Sequence, residues 1–400
     1  MARAKPAGGT VRRKRAPYLL RRPSRRRSPG GIILPLLAGA VLGGLTVWLV
    51  SSVRRAAFEP RAIDPLRAAP TDFDWRQHPP PQFPLPPYAR FLEGVKIVLD
   101  PGHGGDADRE GWKRGPTGLR EAEVNLRVAL FLRDFLVAAG AEVVLTREAD
   151  VCLAPNDAAD LSARIALANR TRADLFLSIH HNAASNAQAN YTSIFYHGRP
   201  DENPASVDAG RHLLSGLNDA LRLEQHLGCA LVSDYEIYPG EGFRVLREAE
   251  VPAVLSEASF HSHPDEEQRL RNPVYNRREA YGLFLGLARW AQAGLPRVRL
   301  REPADGRVRA GRDLVIEVDD GLRKRGGLGT NRAPVLADTL IVRFNDKPVA
   351  CAADLEDGRL RIRPTPDMVQ KGGTLYVNFA NVFGQHVLHP QITLRPAGAD

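Results

Sequence analysis

The chain has 400 residues, 43% hydrophobic, 25% charged and 7% aromatic, a length for two or three domains and a composition that excludes wholesale disorder. Its formal charge of +9 sits at one end: residues 1–30 hold eleven Lys/Arg and no Asp/Glu, while the rest holds 44 basic and 46 acidic residues. The basic balance therefore belongs to a tail, and a nucleic-acid-binding core is excluded as its cause. Cys152, Cys229 and Cys351 are far apart and form no CxxC, which excludes a disulfide framework and a Cys-rich zinc knuckle.

From Ser28 to Val53 no residue is charged, and residues 31–50 are apolar apart from Thr46. Twenty helical residues span roughly 30 Å, enough to cross a bilayer core. Arg21, Arg22, Arg25, Arg26 and Arg27 precede the run and only Arg54 and Arg55 follow it, so the N-terminal tail is expected in the cytoplasm and everything after residue 50 outside. The run exceeds the apolar core of a cleavable signal peptide, about 7–15 residues. Residues 51–94 are rich in proline, including Pro79-Pro80-Pro81, and read as a semi-rigid extended linker.

Strands and helices then alternate. An apolar run at 95–99 ends in Asp100-Pro101-Gly102, a strand with its stop. Residues 121–139 place Val124, Val128, Leu132 and Phe135 at helical spacing, and Gly140 ends the helix. Strands follow at 142–146, 173–180 and 251–256, with helices at 161–169, 204–223 and 273–293. The pattern predicts an α/β domain over 95–295, a sheet with helices on both faces. After Pro296 come short strand-like runs at 314–318, 340–344, 360–362, 375–379 and 392–394, separated by turn residues. Residues 296–400 are thus expected to form a small all-β sandwich of immunoglobulin-like type, with 323–334 as a loop.

Four residues bear chemistry. His103 follows the first strand in Asp-Pro-Gly-His-Gly-Gly, and Glu121 opens the long helix. His180 ends the third strand in Ser-Ile-His-His-Asn-Ala, and Glu257 ends the late strand in Pro-Ala-Val-Leu-Ser-Glu. Carboxyl ends of strands are where open α/β sheets build their sites. Two imidazoles and one carboxylate make a three-ligand zinc set that leaves a position open for water, the mark of a catalytic site. A second carboxylate supplies a general base and acid. Taken singly, each residue has a bland reading: Glu121 as an N-terminal helix charge, Glu257 as a solvated strand end. Spacing does not choose between His180 and His181, which alternation puts on opposite faces. His261 and His263 read as surface or secondary groups.

The stretches "KIVLDPGHGG", "GLREAEVNLRVALFLRDFLVAAGAEVVLTR", "LSARIALANRTRADLFLSIHHNA" and "VLREAEVPAVLSEASFHSHPDE" make residues 95–294 resemble the catalytic domain of the zinc-dependent N-acetylmuramoyl-L-alanine amidases, the bacterial cell-wall hydrolases. The resemblance implies His103, Glu121 and His180 as ligands of Zn2+, Glu257 as the catalytic glutamate, and peptidoglycan as substrate. It selects His180 over His181 because the family's position directly precedes "xNA". The implied reaction cleaves the amide between N-acetylmuramic acid and the L-alanine of the stem peptide. Departures in the last motif are Ala258, where the family usually has a polar residue, and His263, where it has Asn. The expected protein is a single-pass enzyme of the cytoplasmic membrane, its catalytic domain in the periplasm or extracytoplasmic space, with no nucleic-acid partner. Its activator or cell-division partner is unidentified. An inactive wall-binding regulator and a zinc peptidase acting on the stem peptide are the alternatives.

Overall fold

The computed structural model describes residues 82–105, 113–322 and 335–398. The basic tail, the apolar run at 31–50, most of the linker, and the loop at 323–334 lie outside the described residues. Among the described residues, no helix is long and apolar enough to cross a membrane.

The first domain runs β1 (Lys96–Pro101), α1 (Glu121–Ala138), β2 (Glu142–Leu145), α2 (Asp157–Thr171), β3 (Leu175–Asn182), β4 (Ser193–Tyr196), α3 (Pro204–Leu221), β5 (Leu231–Ser233), α4 (Arg244–Arg247), β6 (Ala253–Phe260), α5 (Pro264–Leu270) and α6 (Pro273–Gln292). The six strands form one sheet in the order β2-β1-β3-β6-β4-β5. All neighbours are parallel except β4 and β6. Side chains alternate between two buried faces. Ile97, Leu99, Leu175, Leu177, Ile179 and Val254 pack with α1, α3 and α6. Val98, Phe176, Ala253 and Leu255 pack with Ile165 and Ala168 of α2 and Val245 of α4. Burial on both sides explains why these strands read as continuous apolar runs.

Two boundaries differ from expectation. The extended linker was expected to reach residue 94, but the chain is already packed at Phe83. Its ring meets Tyr281 at 5.1 Å and Phe135 at 6.0 Å, and Tyr281 Oη donates to Pro84 O at 2.7 Å. Residues Pro87–Leu92 form a 3-10 turn whose Leu92 is fully buried. Proline density reports the backbone preference of this stretch; the apolar side chains between the prolines decide that it docks. Likewise β6 runs to Phe260, so Glu257 lies inside the strand and not at its end.

The second domain comprises β7 (Arg297–Glu302), β8 (Arg307–Val308), β9 (Leu314–Asp319), β10 (Val335–Phe344), β11 (Lys347–Pro348), β12 (Ala352–Asp354), β13 (Arg359–Ile362), α7 (Pro366–Lys371), β14 (Gly373–Asn381) and β15 (Gln391–Pro396). Two sheets, β11-β10-β14-β15-β8 and β12-β13-β9-β7, share one core. Ile316, Val318, Leu360 and Ile362 of one sheet meet Leu375, Val377, Phe379 and Leu394 of the other. The domain is fastened to the first. Asp208 on α3 accepts from His386 N at 2.7 Å, Arg297 pairs with Asp174 at 2.8 Å, and Leu388 packs into the first domain's core.

Candidate metal centre

The site begins where β1 stops. His103 takes φ +58°, followed by Gly104 at +137° and Gly105 at +61°. A histidine in the left-handed region is strained and persists only where its surroundings hold it. Two buried guanidiniums do so. Arg147 donates to Pro101 O and Gly102 O, both at 2.9 Å, and Arg164 donates to Pro101 O at 2.9 Å and His103 O at 2.8 Å. Arg164 is neutralised by buried Asp100, 2.7 Å away, which also accepts from Thr146 and Ser178. Gly102 has to be glycine, because a Cβ there would lie 2.0 Å from Cε1 of His180.

His180 projects from β3 on the α2 side of the sheet, the side that Phe176 also faces. Its Nδ1 is 2.9 Å from Glu121 Oε1, and His103 Nε2 is 3.2 Å from Glu121 Oε2. The two rings stand perpendicular, with centroids 4.8 Å apart. Ligand atoms of His103, Glu121 and His180 all lie within 4.8 Å of one another. Glu121, the first residue of α1, is buried; the helix has no side-chain N-cap, so this carboxylate also faces the positive end of the helix.

The charges suit a cation. Burial opposes ionisation of Glu121, yet His103 and His180, by charge and hydrogen bond, hold it well below the usual carboxylate range. Burial pushes the His180 imidazole down despite the pull of Glu121, which favours the neutral form that ligates metal. Glu257 is opposite. Burial, then the charge of Glu121, raises it well above its ordinary value, and its buried Oε2 has no hydrogen-bond partner. It sits beside His180 in the β3–β6 register and on the same face, as the side chains of Ala253 and Leu255 confirm by packing there. The same neighbourhood thus favours the charged form of Glu121 and the protonated form of Glu257.

The remaining histidines divide. His181 points to the other face, buried, with Nδ1 2.8 Å from Asn125 Oδ1 and Nε2 2.9 Å from Glu279 Oε2; it does not join the ligand set. His261 was read as a surface or secondary group, but it is buried, with Nε2 3.7 Å from Glu121 Oε2. Neither of its ring nitrogens has a hydrogen-bond partner, and burial lowers its pKa to about 4. The extra length of β6 carries it inward. Its apolar neighbour Phe260 was the available signal. His263 caps α5, accepting from Glu266 N at 3.3 Å, the cap function that Asn performs equally well. Asn125 and Glu279 were not singled out by sequence, since polar residues on an amphipathic helix carry no distinguishing pattern. His103 and His180 line one side of a cleft of about 400 Å³, whose other walls include Asn156, Asp157, Leu161 and Val245.

Residues 97–289 match the family described as N-acetylmuramoyl-L-alanine amidase. The chain is 33% identical over 213 residues to the germination-specific N-acetylmuramoyl-L-alanine amidase of Bacillus subtilis, covering 51% of this chain and 83% of that protein. It is 26% identical over 261 residues to the N-acetylmuramoyl-L-alanine amidase AmiC of Escherichia coli, covering 56% of this chain and 60% of that one. Among solved structures, the catalytic domain of CwlV, N-acetylmuramoyl-L-alanine amidase from Bacillus (Paenibacillus) polymyxa, is 27% identical, with a TM-score of 0.41 over 49% of this chain and 97% of that one.

Proposed function

The chain belongs to the N-acetylmuramoyl-L-alanine amidase family, and on that premise we propose that it cleaves the amide between N-acetylmuramic acid and the L-alanine of the peptidoglycan stem peptide, with zinc held by His103, Glu121 and His180. The observation that carries this reading is the convergence of two imidazoles and one buried carboxylate beside Glu257, whose buried Oε2 has no hydrogen-bond partner. The donor set of two nitrogens and one oxygen fits zinc and leaves room for a further ligand. Zinc, when bound, supplies Lewis acidity that polarises a carbonyl and makes water a nucleophile near neutral pH.

The protein's own groups do the rest. Glu257 takes the proton of the attacking water and returns it to the departing amide nitrogen, a transfer typically worth 10²–10⁴-fold. Arg147 and Arg164 keep the strained His103 turn in place by holding its carbonyls. The cleft beside His103 and His180 receives the substrate. Residues 31–50 anchor the chain in the cytoplasmic membrane with the N-terminus inside, a reading supported by the charge-free run and its five preceding arginines, Arg21 to Arg27. The catalytic domain then works on the extracytoplasmic side.

Digestion of purified sacculi, with and without chelator, tests the reaction. Mass spectrometry is expected to find intact stem peptides and unsubstituted glycan, and chelation is expected to stop their release. Glu257→Gln should retain zinc while losing at least about 10²-fold in turnover. Cleaved stem peptides would identify a peptidase, and absence of products from the zinc-loaded protein would identify a non-catalytic wall binder.

A further inference from the structure

Three polar side chains lie in the hydrophobic layer beneath the metal centre: Asn125 on α1, His181 on β3 and Glu279 on α6, all buried. They come from three elements and meet in one line. Glu279 Oε2 is 2.9 Å from His181 Nε2, and His181 Nδ1 is 2.8 Å from Asn125 Oδ1. Asn125 Nδ2 reaches Glu121 Oε1 at 3.3 Å and Gly102 O at 3.3 Å. The His181 backbone N–H donates to the same Glu121 oxygen at 3.3 Å.

Resting on the metal reading above, we propose that Glu279, His181 and Asn125 are positioning residues: a hydrogen-bonded relay that fixes the Glu121 carboxylate and the His103 turn in the geometry a metal requires.

The directions of the bonds support this. Asn125 Nδ2 faces two acceptors, so its amide is oriented with Oδ1 toward His181, and His181 must donate from Nδ1. The other ring nitrogen then meets the carboxylate of Glu279. One anchor on α6, the longest helix of the domain, thereby sets the orientation of Asn125. Asn125 in turn contacts one candidate ligand directly and the turn that carries another. Stability does not account for the trio, because replacing a buried charged pair by apolar groups of similar volume is often neutral or stabilising. Partners behind metal ligands, in contrast, typically govern 10–100-fold in metal affinity.

The test is zinc affinity of the full chain, measured by competition with a chromophoric chelator, with circular dichroism as the check on folding. Glu279→Leu and Asn125→Leu are each expected to weaken zinc binding about 10–100-fold. The double variant should be little weaker than either, because both cut the same relay. Glu279→Gln retains a hydrogen bond to His181 and should restore affinity to within about threefold of wild type, on the same scale of effects. If Glu279→Leu fails to fold, Asn125→Leu decides. Wild-type affinity in a folded single variant, or fully multiplicative losses in the double, overturns the relay while leaving the metal centre. A wild-type chain that holds no zinc overturns the metal reading, and the relay with it.

Discussion

At the scale of single residues, Asp100 shows how a motif residue outside the candidate ligand set supports the site. It is buried, and burial would raise its pKa; the charge of Arg164 and the hydroxyls of Thr146 and Ser178 outweigh this and hold it below the usual value. A depressed carboxylate stabilises the fold above its unfolded pKa, near 3.9, and that contribution is lost as pH falls through the folded value. Stability should therefore be insensitive to Asp100 between pH 5 and 8 and should decline only below about pH 4. Asp100→Asn is expected to cost about 3 kcal/mol at pH 7, the lower end for a broken buried pair, because Asp160 still partners Arg164. Denaturant unfolding at pH 7 and pH 3.5 checks both parts. The difference between the proteins should shrink at the lower pH, and equal stability at pH 7 would refute the account. At this scale the sequence singled out His103, Glu121 and His180, which the fold brings within 4.8 Å of one another, and Glu257, which pairs with His180 inside β6 and not at a strand end. His261 was not visible, because its burial depends on the four residues by which β6 outruns the strand read at 251–256.

At the scale of elements, long helices and buried strands were legible to within a few residues. β4 and β5, of four and three residues, were not. So short a run is too brief to show a period, and such strands form because a neighbour offers a ladder. The crossing of α3 and α6 was also invisible, although glycine makes it. A Cβ on Gly216 would lie 2.1 Å from the carbonyl oxygen of Gly282, and one on Gly286 would lie 2.7 Å from that of His212. Alanine normally favours a helix over glycine by about 1 kcal/mol. A carbonyl held in its own helix cannot yield, so overpacking of about 1–3 kcal/mol wins. Gly216→Ala should lower Tm by several degrees. Gly210→Ala, whose Cβ would chiefly meet the flexible tip of Leu231 at 2.6 Å, should be much milder. Thermal unfolding of the pair checks the contrast; equal effects would show that the helix crossing has slack.

At the scale of the whole molecule, the β-domain packs on the catalytic domain. Asp208 and Asp174 are buried, and their partners His386 and Arg297 come from beyond residue 295. Asn381 donates to Ala293 O at 2.9 Å, and Leu388 fills a place in the catalytic core. A fragment of residues 82–295 would lose these partners and the burial of Leu388, itself worth about 1.5–3 kcal/mol. It is expected to unfold several degrees below the fragment 82–398 and to aggregate on heating. The active-site residues all lie before 295, so the folded portion should still cleave soluble muropeptides. Equal Tm values for the two fragments would show the interface to be dispensable. A fragment begun at residue 90 should do worse again, since it lacks Phe83 and its contacts with Phe135 and Tyr281.

The sequence by itself carried the α/β layer pattern and drew attention to His103, Glu121 and His180, which the fold gathers, because periodicity and turn chemistry are local and a single segment carries them. Strand alternation put His180 and His181 on opposite faces, while the choice of His180 rested on the family resemblance. Only the tertiary structure decided where the catalytic domain begins, which buried polar groups stand behind Glu121, and how the β-domain is fastened. Each of these depends on side chains brought together from distant segments, as Glu279 meets His181 across 98 positions, and no local pattern encodes such a meeting.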